Sequence, residues 1–331
     1  MPANGREVAV AGAIGTTSAG SLVGGLFRRV LSRRRGRRRY EAAEVALAYG
    51  LLSPGLIVLL AVLAFPLGYA FWLSLNDVNA QARPIRFVWF ANYVQAIENP
   101  EFPSSLERTL FFAALVLVGT VLVGFAIGLL LTVDFWGRSF VRGLLVVPWA
   151  LSATVVALLC GWIFNQQLGT LDGLLRQLHL ISSPIAWFDL SGWRSLTVMA
   201  VAVIWATAPF AAMLYLGALQ TVPDELLRAA RVDGAGTIRR FFAVTVPWVR
   251  RTTFLVSVLG VIAGFTMFIM VFILTSGGPG YATNVLPWFA YTTAFTDLDW
   301  GEGSALFFLI ALSVFAISAV LFVVFARRAD D

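Results

Sequence analysis

The sequence predicts an all-α polytopic membrane protein with six transmembrane helices. Of its 331 residues, 59% are hydrophobic and 13% charged, with a mean hydropathy of +0.82. An ordinary soluble domain is nearer half apolar and a quarter charged. The excess sits in blocks. A hydrocarbon core roughly 30 Å thick takes about 20 apolar helical residues at a rise of about 1.5 Å each. Six blocks reach that length: 45–75, 110–132, 144–164, 195–219, 253–274 and 304–326, and none contains Asp, Glu, Lys, Arg or His.

The arginines give the orientation, because cytoplasmic loops carry the basic excess. With the amino terminus inside, segments 1–44, 133–143, 220–252 and 327–331 hold 19 Arg against 9 acids. The outer loops 76–109, 165–194 and 275–303 hold 5 Arg against 9 acids. Both termini are therefore expected in the cytoplasm, in a plasma membrane.

Residues 1–44 read as a cytoplasmic tail, expected to be disordered, ahead of a permeation domain over 45–331. The basic cluster follows the weakly apolar part of the tail instead of preceding it, which does not fit a signal peptide. Phe27 to Arg39 packs eight Arg into thirteen residues. Beside a span, such a run suits an orientation anchor on lipid headgroups better than a nucleic-acid site. Pro54, Pro66, Pro148 and Pro209 fall in or at the ends of spans, where a freed carbonyl permits a kink. Gly119, Gly124 and Gly128 in span two form a small-residue face for close helix contact. Trp187 and Trp193 are expected at the membrane interface, and the glycines of "TSGGPG", from Thr275, suit a shaped turn.

Several chemistries are excluded. All 24 basic residues are Arg, so neither a phosphate-loop lysine nor a Schiff-base lysine is available. One His (His179) and one Cys (Cys160) do not make a metal cluster or a Cys/His dyad. Cys160, in an apolar span, reads as a small hydrophobic filler. No cofactor is expected.

The polar stretch between spans four and five is out of character with its surroundings. Thr221 to Asp224 reads as a capping box, with Pro223 in the first helical turn. Glu225 to Val232 gives about two turns, and Gly234 stands where a left-handed residue would end a helix. A second short helix, Thr237 to Val244, is expected to stop before Pro247. Leu226, Ala229 and Ala230 form a small-residue face, with Arg228, Arg231, Arg239 and Arg240 solvated. A capped, self-terminating helix suits docking in a partner's groove.

Here the chain resembles the permease subunits of binding-protein-dependent ABC importers. Their cytoplasmic motif runs E-A-A, three residues, G, nine residues, I-x-L-P. This sequence has Arg228-Ala229-Ala230, then Gly234, then Val244-Thr245-Val246-Pro247 at that spacing. "GALQTVPDELLRAARVDGAG", "NYVQAIENPEF", "VVPWALSATVVALLCGWIFN", "WATAPF" and "TSGGPG" are similar to the sugar-permease branch, that of the maltose transporter's membrane subunits, across about residues 45–326. The resemblance implies the six-helix fold of type I importers and a non-catalytic subunit. It implies ATP hydrolysis by a partner ABC ATPase dimer, a second permease subunit, and an extracytoplasmic solute-binding protein meeting the outer loops. It assigns coupling to Glu225, Arg228, Ala229, Ala230, Asp233, Gly234 and Pro247. Two features depart from it: Arg228 stands where the motif has Glu, and span five, "GFTMFIMVFIL", is poor in polar groups.

Solute contacts near the midplane should be uncharged polar or aromatic groups on spans three to five. Those available are Trp162, Asn165, Trp205, Thr207, Tyr215 and Thr266, with Gly264 expected to leave room for a sugar ring. An ion-coupled secondary transporter is the competing reading, but it usually needs an ionisable group within a span. An intramembrane enzyme would rest on Asp297, Asp299 and Glu302, which read more simply as a solvated loop.

Overall fold

The computed structural model describes residues 19–79, 84–189 and 192–327. Two compact units are distinguished, Met1–Gly68 and Tyr69–Asp331. The first unit, as described, is most of helix α1, Ala19–Ser74, which continues through Pro54 and Pro66. Helix α1 begins at Ala19, within the tail expected over 1–44; Arg, Leu and Ala are good helix formers, and the span gives them a helix to extend. Residues 1–18 lie outside the described residues. The apolar window of Glu44–Ser74 is 0% buried.

In the second unit, a short hairpin pairs β1, Asn76–Asp77, antiparallel to β2, Arg86–Phe87. Then come α2 (Ala91–Glu98), α3 (Glu101–Leu130), α4 (Arg138–Ala150), α5 (Ala153–Ile163), α6 (Thr170–Gln177) and α7 (Trp193–Leu219). After α7 lie α8 (Asp224–Val232), α9 (Thr237–Arg240), a π-helical turn Phe241–Thr245, α10 (Val246–Trp248), α11 (Arg250–Phe265) and α12 (Phe268–Leu274). The chain closes with α13 (Leu286–Tyr291), a second π-helical turn Thr292–Thr296, and α14 (Trp300–Arg327).

Among the described residues, five helical stretches are long and apolar enough to cross a bilayer, and a bent pair taken as one span makes a sixth. The bent pair covers the third span expected over 144–164, and the break falls just after Pro148, one of the prolines expected to permit a kink. α4 and α5 meet at 96°. Pro148 supplies no backbone N–H, and Leu151 and Ser152 are both extended (ψ 142° and 151°). Ser152 then caps α5, accepting from the Val155 N–H at 3.3 Å. A proline near a helix end followed by a good N-cap is a stop and a restart.

α3 is the centre of the unit, and glycine admits a neighbour on each side of it. A Cβ on Gly124 would lie 2.6 Å from Ala211 Cβ, and one on Gly128 2.8 Å from Tyr215 Cβ, so the glycine face of span two meets α7. On the other side α11 supplies the gap: a Cβ on Gly264 would lie 2.5 Å from Ala113 Cα, and one on Gly260 2.9 Å from Leu117 Cα. Close approach gains dispersion contacts, the main attraction available between helices in lipid. Gly264 therefore serves helix packing and does not open space for a ring. Phe112, Val116, Val156, Met199 and Met270 fill one core between α3, α5, α7 and α12. Tyr215, Val249 and Val256 fill another near the base of the polar segment.

Candidate functional site

The polar segment forms a projecting, self-closed element. Gly234, at φ +76°, ends α8. The Gly234 N–H donates to Arg231 O (3.1 Å) and the Ala235 N–H to Ala230 O (2.9 Å). This pair of bonds is a Schellman closure. A Cβ on Gly234 would meet nothing within 4 Å, so glycine is needed there for its backbone conformation alone. No residue of α8 is buried; Leu226, Ala229 and the Arg228, Arg231 and Arg239 side chains are exposed, with Ala230 half-buried. Val232 is 88% and Ile238 76% exposed. α8 is thus a short helix with no buried residue, and it shows aliphatic groups to solvent.

Two local expectations are corrected. Thr221 does not cap α8: its hydroxyl donates back to Ala218 O (2.7 Å) and accepts from the Trp248 indole N–H at 3.1 Å. Pro223 itself occupies the cap position, extended at ψ 128°. With the hydroxyl held by span four, Thr221 clasps the two ends of the element together. Second, the helix begun at Thr237 does not stop before Pro247. The Val246 N–H reaches back five residues to Phe241 O, and this π turn accommodates the proline, so the chain passes through α10 into span five almost without interruption.

The candidate path residues do not converge on one place. Thr207 and Thr266 share a furrow with Trp149, Val203 and Ala263, ≈ 310 Å³ in volume. A smaller cleft of ≈ 230 Å³ adjoins it through Trp149, Thr207 and Ala263. Thr207 Oγ1 lies 2.8 Å from Val203 O and 3.0 Å from Thr120 Oγ1. Thr266 donates to Ile262 O (2.8 Å) at the junction of α11 and α12. Trp149 was not foreseen: it stacks on Phe210 (5.1 Å, 10°) while remaining half exposed on the furrow wall. The signal was present in "PWALS", where a tryptophan precedes a helix break. Trp162 and Asn165 line a separate cleft of ≈ 500 Å³ with Trp187 and Phe188. Asn165 there shapes a turn, its Oδ1 accepting from the Gln167 and Leu168 N–H groups (both 2.9 Å). Tyr215 is fully buried against Phe125, and Trp205 is exposed on α7 outside both furrow clefts.

The TSGGPG turn is tightly built. Ser276, Gly277, Gly280 and Tyr281 all have positive φ. The Thr283 hydroxyl, fully buried, ties Thr275 Oγ1 (2.7 Å) to Gly278 O (2.8 Å). A side chain at Gly277 would collide with the Trp288 indole. In loop 165–194 the buried Asp172 accepts from the Trp187 indole N–H (2.7 Å) and the Ile185 N–H (2.9 Å). This tie went unread in the sequence because its partners lie 13 and 15 residues away. Among the described residues no group of three or more His, Cys, Asp or Glu could hold a metal.

Residues 120–329 match the family model for the inner membrane component of binding-protein-dependent transport systems. The chain belongs to that family. It is 30% identical over 291 residues to the sulfoquinovosyl glycerol transport system permease protein SmoG of Agrobacterium fabrum, covering 88% of this chain and 92% of that one. It is 32% identical over 302 residues to the diacetylchitobiose uptake system permease protein DasB of Streptomyces coelicolor, covering 89% and 92%. A chain from the crystal structure of a bacterial ABC transporter involved in the import of alginate shares its fold, with a TM-score of 0.71 at 20% identity, over 88% of this chain and 99% of that chain. The family's members are permease subunits, so the chain is a non-catalytic component of an ABC transporter in the membrane.

Proposed function

We propose that this permease subunit imports a carbohydrate or similar polyol, in a complex with an ABC ATPase dimer, a second permease and an extracytoplasmic solute-binding protein. The observation that carries the coupling role is the exposed helix α8 with its Schellman closure at Gly234. Glu225, Arg228, Ala229, Ala230 and Asp233 present its surface to the ATPase, and Pro247 lies where the element runs on toward span five. The bacterial plasma-membrane setting, with both termini and residues 1–44 in the cytoplasm, is supported by the arginine distribution. Closure of the ATPase dimer on ATP moves α8, and the permease pair opens outward to take solute from the binding protein.

A carbohydrate is supported by the kinds of solute in the relatives' names and by the furrow chemistry. Trp149 offers an aromatic face, which suits the C–H face of a sugar ring, and Thr207 and Thr266 offer hydroxyls. With so few polar groups, much of the selectivity falls to the binding protein. The test is ATP-driven uptake by proteoliposomes holding the full complex, challenged with labelled disaccharides, polyols and amino acids. Uptake of amino acids alone would overturn the carbohydrate reading, and uptake without ATPase subunits would overturn the coupling role.

A further inference from the structure

The ≈ 500 Å³ cleft beside Trp162 lies on the same helices that wall the furrow. On α5 the furrow takes Ala153 and Val156, and the cleft takes Ala157, Gly161 and Trp162. On α12 the furrow takes Ile269 and Met270, and the cleft takes Ile273 and Leu274. The cleft therefore continues the furrow about one helical turn farther toward loop 165–194. Its Trp187 wall is fixed in place. The indole N–H donates to Asp172 Oδ1 at 2.7 Å, and Asp172 is fully buried. Phe164 meets the indole edge-on, with ring centroids 5.3 Å apart at 75°. A tryptophan that anchors a protein at the membrane interface presents its polar end to water and headgroups. That of Trp187 is spent on a buried carboxylate, so anchoring does not account for it.

Two amides complete the lining. Asn165 Oδ1 is engaged by two backbone N–H groups, which leaves its NH₂ to donate; Gln166 is exposed and offers both a donor and an acceptor. Among the described residues no Asp, Glu, Lys, Arg or His lines the cleft. A lipid chain there would leave both amides without partners. An amino acid would bring two charges to walls that pair with neither. A neutral ring, with C–H faces for the indoles and hydroxyls for the amides, uses every part of the lining. The volume falls within the range of small-molecule sites, about 300–1,000 Å³. We propose that this cleft is an outer carbohydrate subsite, which receives a sugar ring against Trp162 and Trp187 before it passes to the furrow. The inference rests on the carbohydrate reading above and on the orientation in which 165–194 faces outward.

The test uses the whole transporter in nanodiscs carrying Gln166→Cys, a rim position whose replacement leaves both tryptophans and Asn165 in place. Cys160 is buried, so the new thiol dominates labelling by an impermeant maleimide. The probes are the disaccharides of the uptake assay, diacetylchitobiose and maltose among them, with glycine for comparison. A transported sugar at twice its Kd leaves about a third of the clefts open, so labelling should slow about threefold, and glycine should not slow it. Trp162 is 61% exposed and outside the core of α3, α5, α7 and α12, so its replacement should not disturb the fold. Adding Trp162→Ala should raise the half-protecting sugar concentration about three- to tenfold, and Trp162→Phe should restore part of it. A thiol that does not react in nanodiscs, protection by glycine, or protection unchanged by Trp162→Ala would overturn the subsite. So would unprotected labelling in a transporter that takes up the same sugar with ATP, and this result would leave the carbohydrate reading standing. Uptake of amino acids and of no sugar by the wild-type complex would overturn that reading and the subsite with it.

Discussion

Gly234→Ala tests whether docking depends on the backbone closure of α8. At φ +76° an L-residue has its Cβ crowded by its own carbonyl, at a cost of about 1–2 kcal/mol. No neighbour adds to this, since nothing lies within 4 Å of the Cβ position. One to two kcal/mol corresponds to about a 5- to 30-fold loss in the closed, docking-competent population. Asparagine tolerates the left-handed region and should cost much less, while β-branched valine should cost more. The assay is ATP-driven uptake at limiting ATPase concentration, alongside quantified membrane insertion. The expected order of uptake is Gly, Asn, Ala, Val, with insertion unchanged. Wild-type uptake for both Ala and Val, with Gly234→Trp inactive, would refute this reasoning, because bulk and not backbone conformation would then set the fit.

Gly264→Leu should impair assembly or lower the unfolding temperature, since even its Cβ would lie 2.5 Å from Ala113 Cα; Gly264→Ala should destabilise by about 1–3 kcal/mol, measured by thermal denaturation. Thr207→Val and Thr266→Val should each weaken solute affinity several-fold, about 1 kcal/mol per lost hydrogen bond. Thr207→Val should also reduce thermal stability, because Thr120, 4% exposed, loses its partner across α3 and α7. Wild-type transport by both single mutants and the double mutant would remove these residues from the path. Tyr281→Cys should react with an impermeant thiol reagent added to intact cells and Ile238→Cys should not, with little background because Cys160 is buried; the reverse pattern would sink the orientation.

What the sequence revealed depended on how local the cause was. Spans were legible because hydrophobicity accumulates over neighbouring residues, and Gly234 because a helix stop needs only its own backbone. Gly124 and Gly128 pointed to a close contact, though not to α7 as the partner. Pro148 marked a place where span three could kink, but hydropathy measures length and not direction, so the size of the bend and the restart at Ser152 were not legible. Thr221 misled for a different reason. A threonine ahead of an acid fits a cap, yet the carbonyl of Ala218 and the indole of Trp248 compete for the same hydroxyl. The furrow needed α4, α7 and α11 to be brought together, and no spacing in the chain carries that information.

The run from Thr237 to Phe265, helical almost throughout, has a mechanical consequence. If α8 takes the thrust of the ATPase as proposed, this run would act as a lever pivoting at Val249, which is 2% exposed and packed with Tyr215 and Val256. One arm, from Thr237, is about 18 Å long and the other, to Phe265, about 24 Å at 1.5 Å per residue. Arms in this ratio would transmit displacement at a gain of about 1.3 and reverse its direction. A thrust of a few ångströms at the exposed end would swing Ala263 and Thr266, which wall the furrow, the opposite way by a similar distance.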